Sequence, residues 1–293
     1  MGAAAGDAAG GVPVDGSDDV LVERDDGVAL LTLNRPERRN ALTVASVRRL
    51  TAAVAGALDD PGTGALLLRG AGHCFCSGID LRAADTTPSG GLDPAWSGRF
   101  HAAWLELHRT LAGADKPVVA AAERAAVNAG AALALSADLL VAGRASFLRI
   151  AEVERDMVAR VNLAWLVARH GSARALDLTL TGRRVDGAEL YRLGMAHAYA
   201  DDADPGDPSE GPVVAAARSL AAGLAALPRA GVTQTKRLIR TLESTTSPFR
   251  LLTAATDADL TASQPDAPTA DRDGGGHTGR PVPGAEAAGG GAR

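Results

Sequence analysis

The chain is poor in cysteine and has no long apolar run, and each shortage excludes a class of protein. It has two cysteines in 293 residues, too few for a disulfide framework, and the one-residue spacing of Cys74 and Cys76 would strain a bridge between them. No stretch approaches the roughly 18 consecutive apolar residues that a membrane-spanning helix needs. The amino-terminal residues also lack the basic start and apolar segment of a secretory signal. We therefore expect a cytoplasmic protein with no membrane partner.

Positive charge and metal-ligand clusters are scarce as well. The formal net charge is −5, whereas a nucleic-acid-binding face normally needs a strong excess of positive charge, so no nucleic-acid partner is expected. His73 and the two cysteines could supply three metal ligands, but no second cluster follows at a useful spacing, and we expect no metal site. Cys74 and Cys76 are interpreted as small buried residues.

The sequence does contain a long alternation of strand-like and helix-like segments. Residues 1–17 and 263–293 are rich in Gly, Pro and Ala without periodicity, which predicts two disordered tails. Between them, residues 18–262 predict one folded domain, with a core up to about residue 200 and a helical part over 211–262. Alternation of strands and helices followed by helices alone indicates an α/β fold with a helical finish.

Hydrophobic periodicity locates the main elements. Buried strands are predicted for the apolar runs "VALLTLNRP", "GALLLRG" and "KPVVAAA". Helical spacing follows in "LTVASVRRLTAAVAGALDD", where Thr43 is well placed as the amino-terminal cap. Trp96, Phe100 and Trp104 fall on one side of the next helix, which is typical of core packing. Two final helices are predicted over 213–227 and 232–243.

Five stretches, in this order, resemble motifs of the crotonase superfamily, the enoyl-CoA hydratase/isomerase family. They are "LTLNRPERRNAL", "FCSGIDL", "KPVVAAA", "SADLLVAGRASF" and "GRRVDGAELYRLGMAHAYAD". The resemblance covers about residues 20–260. It implies a crotonase-like spiral of ββα units with a helical carboxy-terminal oligomerisation region, and assembly as a homotrimer or a dimer of trimers.

The resemblance also implies a ligand and a way of binding it. The family acts on acyl thioesters of coenzyme A; a carrier-bound thioester is the related possibility. No cofactor is expected to be bound, because coenzyme A enters as part of the substrate. The turn matching "SGID" would aim the Ile79 N–H at the thioester oxygen. The family's G-G-G stretch matches Asn128-Ala129-Gly130, so the second donor would be Ala129. Fixed N–H groups suit reactions that place negative charge on this oxygen.

The acid that completes such a site is less clear from the sequence. Hydratase members have two glutamates, and at the first position this chain has Ala132. At the second, Glu152 is favoured and Glu154 is the fallback. The interval from Phe147 to Glu152 is one residue longer than the family's usual spacing, and counting without an insertion would place Ala151 there instead.

Two further departures concern the donor segment. The family's middle glycine is Ala129, where any requirement for positive φ would be costly. The family's Asn-Gly pair is Glu123-Arg124 here, and the sequence leaves open whether Glu123 replaces the missing carboxylate.

Positions that match the family's coenzyme A contacts are Arg38, the Ser77 backbone and Arg82, since arginine can pair with phosphate through two hydrogen bonds. Lys236, in the last helix, could reach a phosphate bound to a neighbouring subunit.

The expected function is therefore that of an enoyl-CoA hydratase/isomerase-like enzyme working through a stabilised enolate. Double-bond isomerisation needs one base and is easier to support than hydration or dehydration, which holds water between two carboxylates. Two alternatives remain open. The first is a non-catalytic crotonase-like subunit that binds thioesters or stabilises an assembly. The second is a hydrolase with Cys74 or Cys76 as nucleophile, although it lacks a convincing base.

Overall fold

A computed structural model describes residues 18–87, 91–202 and 210–242. The predicted tails, 1–17 and 263–293, and the end of the predicted helical part, 243–262, lie outside these ranges. The strands are β1 (Val20–Asp25), β2 (Val28–Leu33), β3 (Ala65–Gly70), β4 (Val118–Ala122), β5 (Ala125–Val127), β6 (Leu139–Gly143), β7 (Phe147–Arg149), β8 (Val185–Asp186) and β9 (Ala198–Ala200). The helices are α1 (Val44–Asp59), α2 (Pro94–Gly113), α3 (Ala129–Ser136), α4 (Arg160–Thr181), α5 (Gly187–Arg192), α6 (Pro212–Ala225) and α7 (Arg229–Leu242). Two 3-10 helices cover Pro36–Arg38 and Glu152–Arg155.

The strands form one large and one small sheet. The large sheet has the order β1-β2-β3-β4-β6-β9, and the small sheet has the order β5-β7-β8. Only β1 pairs antiparallel in the large sheet; the other neighbours are parallel. In the small sheet β5 and β7 are parallel. The mixed α/β architecture with a helical end agrees with the predicted fold class.

Both faces of the large sheet are covered, which explains why its central strands are continuous apolar runs. Alternate residues of β2, such as Val28 and Leu30, face α6, where they meet Val213 and Ala217. The intervening residues, such as Leu31, face the larger core that contains α1, α2 and α3. The side-chain period of two therefore divides each strand between two packed layers.

The central part of the chain repeats one unit three times. Each unit has a strand in the large sheet, a shorter extended segment beside or within the small sheet, and then a helix. The second and third units are β4-β5-α3 and β6-β7-α4. In the first unit, β3 is followed by Cys76, which pairs with Ala126 of β5 through an isolated bridge, before α2 begins. This repetition places equivalent segments of successive units side by side.

Several predicted element boundaries are confirmed. Thr43 caps α1: its Oγ1 accepts from Ser46 N at 3.0 Å, and Ser46 Oγ accepts from Thr43 N at 2.8 Å. The predicted final helices correspond to α6 and α7, which begin one and three residues earlier than expected. α4 is broken at Gly171, which has φ 77°.

The aromatic residues of α2 lie in the core as predicted. Trp96 and Phe100 stack with ring centroids 5.5 Å apart, and Trp104 continues the row. Trp165 of α4 is fully buried and donates from Nε1 to His108 Nδ1 at 2.9 Å. This row joins α2 to α4 behind the ends of the short strands.

No single helix in the described ranges has both the length and the apolar character to cross a membrane. The adjacent pair α6 and α7 passes that test only when combined, and it is bent by 103°.

Candidate active site

The candidate site lies where three parallel segments end at one edge. Cys76 pairs with Ala126, and Ala126 pairs in turn with Leu148, all in parallel register. These three residues therefore form one line across adjacent segments of the three repeated units. The carboxyl ends of parallel strands meet at a common edge, which is where ligands of α/β proteins usually bind.

The three residues predicted to act on the thioester all follow that line closely. Ile79 and Ala129 each lie three residues beyond it, and Glu152 lies four residues beyond it. The equal offsets of the two donors are a consequence of the repeated unit. The structure thus brings the two predicted donors and the predicted acid to the same edge.

The backbone pairing of this turn with Leu42 leaves the Ile79 N–H without a partner among the described residues. Leu42 donates to Gly78 O at 2.8 Å and accepts from Asp80 N at 2.9 Å, so the bonds to Leu42 use the residues on either side of Ile79. The N–H of Ile79 points away from Leu42, and no described residue accepts it. Gly78 has φ 103°, and a Cβ there would lie 3.1 Å from Val127 O. The turn therefore lies directly against the segment that leads into Ala129.

A buried ion pair holds this turn. Arg35 donates to Asp80 Oδ2 at 2.8 Å and to Ala41 O at 2.6 Å. Burial by itself would raise the pKa of Asp80, but the hydrogen bond and charge of Arg35 outweigh it and lower the pKa. The carboxylate also accepts from Arg82 N at 3.2 Å. Asp80, the residue that follows Ile79, is thus fixed by charge-assisted hydrogen bonds.

The second donor, Ala129, is the first residue of α3. The first intrahelical bond runs from Ala132 N to Asn128 O at 3.0 Å, which leaves the Ala129 N–H ahead of the helix ladder. It has no partner within the described ranges, and the helix dipole adds positive potential there. The positive φ of this segment falls on Asn128, at 51°, and alanine at 129 is therefore compatible with the fold.

Gly130 is the position of the G-G-G match where a side chain has no room. A Cβ there would lie 2.2 Å from Cys76 O, far inside van der Waals contact. The close approach of α3 to the Cys76 segment requires glycine, and it brings the two donor segments together.

Asn128 connects the start of α3 to the segment that carries the acid. It donates from its backbone N to Arg149 O at 2.8 Å, and its Oδ1 accepts from Ala151 N at 2.9 Å. Asparagine tolerates positive φ better than most residues, which is the signal in the sequence that could have identified it.

Glu152 begins the 3-10 helix after β7, and one of its oxygens is held. Asn162 Nδ2 donates to Glu152 Oε1 at 3.2 Å, while Oε2 is buried without a partner among the described residues. Burial raises the pKa of this carboxyl, and the backbone N–H groups of Glu152 and Ala151 oppose the rise, followed by the charge of Arg155 and the amide of Asn162. A half-buried acid with a raised pKa beside two free N–H groups is a suitable proton-transfer group.

The two alternative positions for the acid, Ala151 and Glu154, have different surroundings from Glu152. Ala151 is buried and is held by Asn128. Glu154 is half exposed and pairs with Arg149 at 2.5 Å. Leu148, not Phe147, is the fully buried residue of β7. When the spacing is counted from Leu148, Glu152 lies at the family's usual interval of four residues. The geometry therefore favours Glu152 over Ala151 and Glu154.

Neither remaining carboxylate position supplies a second acid. Ala132 is fully buried within α3. Glu123 is buried six residues before Ala129, at the opposite end of the β5 segment, where its Oε1 lies 3.3 Å from His73 Nδ1. The Glu123 carboxyl thus faces His73, at the other end of β5 from the Ala129 N–H.

The residues predicted to hold coenzyme A lie around the Ile79 turn. Ser77 donates from its backbone N to Arg39 O at 3.0 Å and from Oγ to Arg38 O at 3.3 Å. Arg38 and Arg82 are exposed on either side. Lys236 makes contacts within the chain: its Nζ donates to Asp138 Oδ2 at 2.5 Å and to Lys116 O at 2.7 Å. That lysine anchors α7 to the core.

Both cysteines are buried thiols, as predicted. Burial raises the pKa of Cys74 and raises that of Cys76 to about 12, so neither forms a thiolate readily. The adjacent histidine, His73, faces Glu123. The described residues contain no cluster of three or more metal-ligating side chains. A cysteine nucleophile is therefore disfavoured on chemical grounds.

A large cavity lies elsewhere in the described residues. It measures about 1190 Å³ and lies beside α4, α6 and α7, with Trp165, Arg169 and Lys236 in its lining. None of the candidate catalytic residues borders it. The chemistry-bearing groups lie at the strand edge instead.

Comparisons with known proteins show the family of this chain. The family model "Enoyl-CoA hydratase/isomerase" matches residues 23–265. The chain is 34% identical over 178 residues to "Probable enoyl-CoA hydratase echA8" of Mycobacterium bovis, covering 60% of this chain and 66% of that protein. It is 32% identical over 228 residues to "1,2-epoxyphenylacetyl-CoA isomerase" of Escherichia coli, covering 78% and 84%.

Solved structures give the same result. An enoyl-CoA hydratase/isomerase from Mycobacterium paratuberculosis superposes with a TM-score of 0.71 at 26% identity, covering 85% of this chain and 94% of that one. With the strand-edge geometry and the match over most of its length, the chain belongs to the enoyl-CoA hydratase/isomerase family.

Proposed function

We propose that this protein is an acyl-CoA isomerase that moves a carbon–carbon double bond next to the thioester. The proposal rests on the composition of the site. It combines one acid, Glu152, with the two backbone N–H donors, while the position of the family's first glutamate holds Ala132. The Escherichia coli relative is named as an isomerase of an acyl-CoA, which supports an isomerase that acts on an acyl-CoA.

The proposed reaction needs one group that takes and returns a proton. Ionised Glu152 removes a proton from C2 of a 3-enoyl thioester, and the C–H electron pair moves into a dienolate with its charge on the thioester oxygen. The N–H groups of Ile79 and Ala129 bind that oxygen. The carboxylic acid then returns the proton to C4, which forms the 2-enoyl thioester and restores the carboxylate. Loss of one such N–H donor typically costs on the order of a hundredfold or more in rate.

Hydration is less well supported by the same residues. Adding water across the double bond requires one group to activate the water and another to deliver a proton to carbon. Ala132 has no titratable group, and Glu123 faces His73 at the other end of β5. We therefore favour isomerisation over hydration or dehydration.

Recognition of the substrate is proposed to involve the rim of the Ile79 turn. Arg38 and Arg82 are exposed and can reach phosphates, while the Ser77 backbone borders the same turn. A coenzyme A thioester has the phosphates that these arginines would bind, and a carrier-bound acyl thioester is the alternative.

The test is isomerisation of short 3-enoyl-CoA by the wild type and by Glu152→Gln. Removal of the proton acceptor is expected to lower kcat by a factor of roughly a hundred to ten thousand. Glu154→Gln is the matched control, since Glu154 lies in the same 3-10 helix but is half exposed and paired with Arg149. Equal activity of the wild type and the Glu152 variant would overturn the assignment.

A non-catalytic thioester-binding or assembly subunit is the second candidate. Ala132 and the replacement of the family's Asn-Gly pair by Glu123-Arg124 favour it. It predicts calorimetric binding of enoyl-CoA without turnover of any 2- or 3-enoyl thioester, whereas the isomerase predicts both binding and turnover.

We also propose the assembly of the family, a homotrimer or a dimer of trimers. Leu238, Ile239 and Leu242 of α7 are apolar and 48–75% exposed, which supports burial of this face against another copy. Sedimentation equilibrium of the wild type and of Leu242→Glu tests it, with a lower mass expected for the variant. A cytoplasmic location remains a prediction.

A further inference from the structure

The buried side chain of Asn162 connects the acid to the donor helix. Asn162 is 2% exposed, and its Nδ2 donates both to Glu152 Oε1 and to Asn128 O, each at 3.2 Å. Both partners are acceptors, so the orientation of the amide is fixed by chemistry: only the NH₂ group can face them. One side chain therefore uses both of its hydrogens on the machinery of the site.

The hydrogen bonds leave the two carboxylate oxygens of Glu152 unequal. Oε1 is restrained by Asn162, whereas Oε2 is buried and has no partner among the described residues. A buried acceptor without a partner is costly, unless the proton that it exchanges during the reaction or a bound ligand completes it. The free oxygen is thus the one available for proton transfer.

We infer that Asn162 is a positioning residue for Glu152, which holds Oε1 so that Oε2 alone carries the substrate proton. The role of Asn162 in catalysis rests on the proposed function. Asn162 itself does not contact the reacting atoms and acts through Glu152. Through Asn128 O the same amide also ties the acid to the residue that precedes the Ala129 donor.

The neighbours of Glu152 make the effect measurable. Arg155, in the same 3-10 helix, is the charged residue that acts on the carboxyl. On the α3 side Asn128 and Ala129 are neutral, and on the α4 side Asn162 is neutral. The hydrogen bond from Asn162 stabilises the ionised form and lowers the pKa of Glu152, so its removal should raise that pKa.

The first experiment compares Asn162→Ala with the wild type in turnover. A misplaced acid is expected to lower kcat on the order of tenfold to a hundredfold with KM little changed. The acidic limb of the kcat/KM profile should also move to higher pH, because the base must be ionised to act.

Thr179→Ala is the control for a purely structural effect. Thr179 is also buried in α4, and its Oγ1 donates within the helix to Ala175 O at 2.7 Å, beyond the break at Gly171. This variant should lose stability without a shift of the pH profile. If Asn162→Ala shows the same pattern as Thr179→Ala, the inference is overturned.

A second readout separates this inference from the proposed function. Infrared titration of the carboxyl groups, with Glu152→Gln to identify the Glu152 band, follows the acid without turnover. A band that titrates at higher pH in Asn162→Ala supports the positioning task even if every protein proves inactive, which would refute only the isomerase. An unshifted band refutes the positioning task even if the wild type isomerises enoyl-CoA.

Discussion

The two sides of the candidate site differ in what they offer a substrate. On the α3 side, Ala132 is fully buried among apolar neighbours and only backbone N–H groups are presented. On the α4 side, Glu152 is half-buried and is held by Asn162, and burial raises the pKa of its carboxyl. The repeated unit provides the backbone geometry on both sides, because it depends on strand register and not on catalytic side chains. The reaction that this geometry can support is then set by the side chains added to it.

The largest effect is expected where a second acid is forced into the α3 side. Ala132→Glu would place a longer, charged side chain at a fully buried position in α3. We expect the free energy of unfolding to fall by about 3 kcal/mol or more, from overpacking and burial of charge. Urea denaturation measures the change.

Ala102→Glu, at an exposed position of α2, is the control and should leave stability nearly unchanged. A stable Ala132→Glu protein that hydrates 2-enoyl-CoA would contradict the view that this side is closed to a carboxylate.

The next test concerns the approach of α3 to the Cys76 segment. Gly130→Ala would place a Cβ 2.2 Å from Cys76 O, so the two donor segments must move apart. We expect a loss of about 1–3 kcal/mol in stability and a drop in turnover. Gly98→Ala in α2 is the matched change, since nothing lies within 4 Å of its added Cβ. It should stabilise the protein by about 0.5–1 kcal/mol, and thermal unfolding compares the two.

Asn128→Gly probes the link between the two sides. Glycine relieves the positive φ of 51° but removes the acceptor of the Ala151 N–H. Loss of that hydrogen bond is expected to cost about 1 kcal/mol, with a lower kcat because the acid segment loses its anchor. A variant that is more stable than the wild type and equally active would show that the anchor is dispensable.

The smallest effect is expected at the acid that lies far from the site. Burial raises the pKa of Glu123, and this outweighs the opposing hydrogen bond and charge of His73 and the charge of Arg69, with Asp202 adding to the rise. A raised pKa in the folded state means that its contribution to stability is greatest at low pH and is lost as the pH rises through the folded pKa.

Glutamine has the same shape as glutamate but does not titrate. The melting temperature of Glu123→Gln minus that of the wild type should therefore increase between about pH 4 and pH 8. A difference that stays constant over this range would refute the interpretation.

The fold could largely be predicted because its signals are local. The cap at Thr43 and the break at Gly171 depend on residues within one turn of the position concerned. The central strands, such as β2, are apolar throughout because both faces of the sheet are covered. These features are properties of short segments, which periodicity and turn chemistry describe well.

The site could be predicted only in part. Ile79 and Ala129 were found through motif resemblance, and the choice of Glu152 over Ala151 and Glu154 required the observed burial and pairing. Asn162 was missed, although a polar residue inside the apolar run "RVNLAWLV" is a signal of a buried hydrogen bond. Lys236 pairs with Asp138, a contact between distant segments that the sequence did not indicate, and its phosphate contact stays a prediction.

The sequence by itself determined the order of the main elements and the buried strands, since each depends on neighbouring residues, whereas the two donor turns were predicted from motif resemblance. Only the tertiary structure decided which side chains meet across the repeated units. Cys76, Ala126 and Leu148 come into one line because parallel strands pair across distances of 50 and 22 residues in sequence. Asn162 reaches Glu152 because α4 packs back over that line. Such contacts arise from packing between distant segments, and no local pattern encodes them.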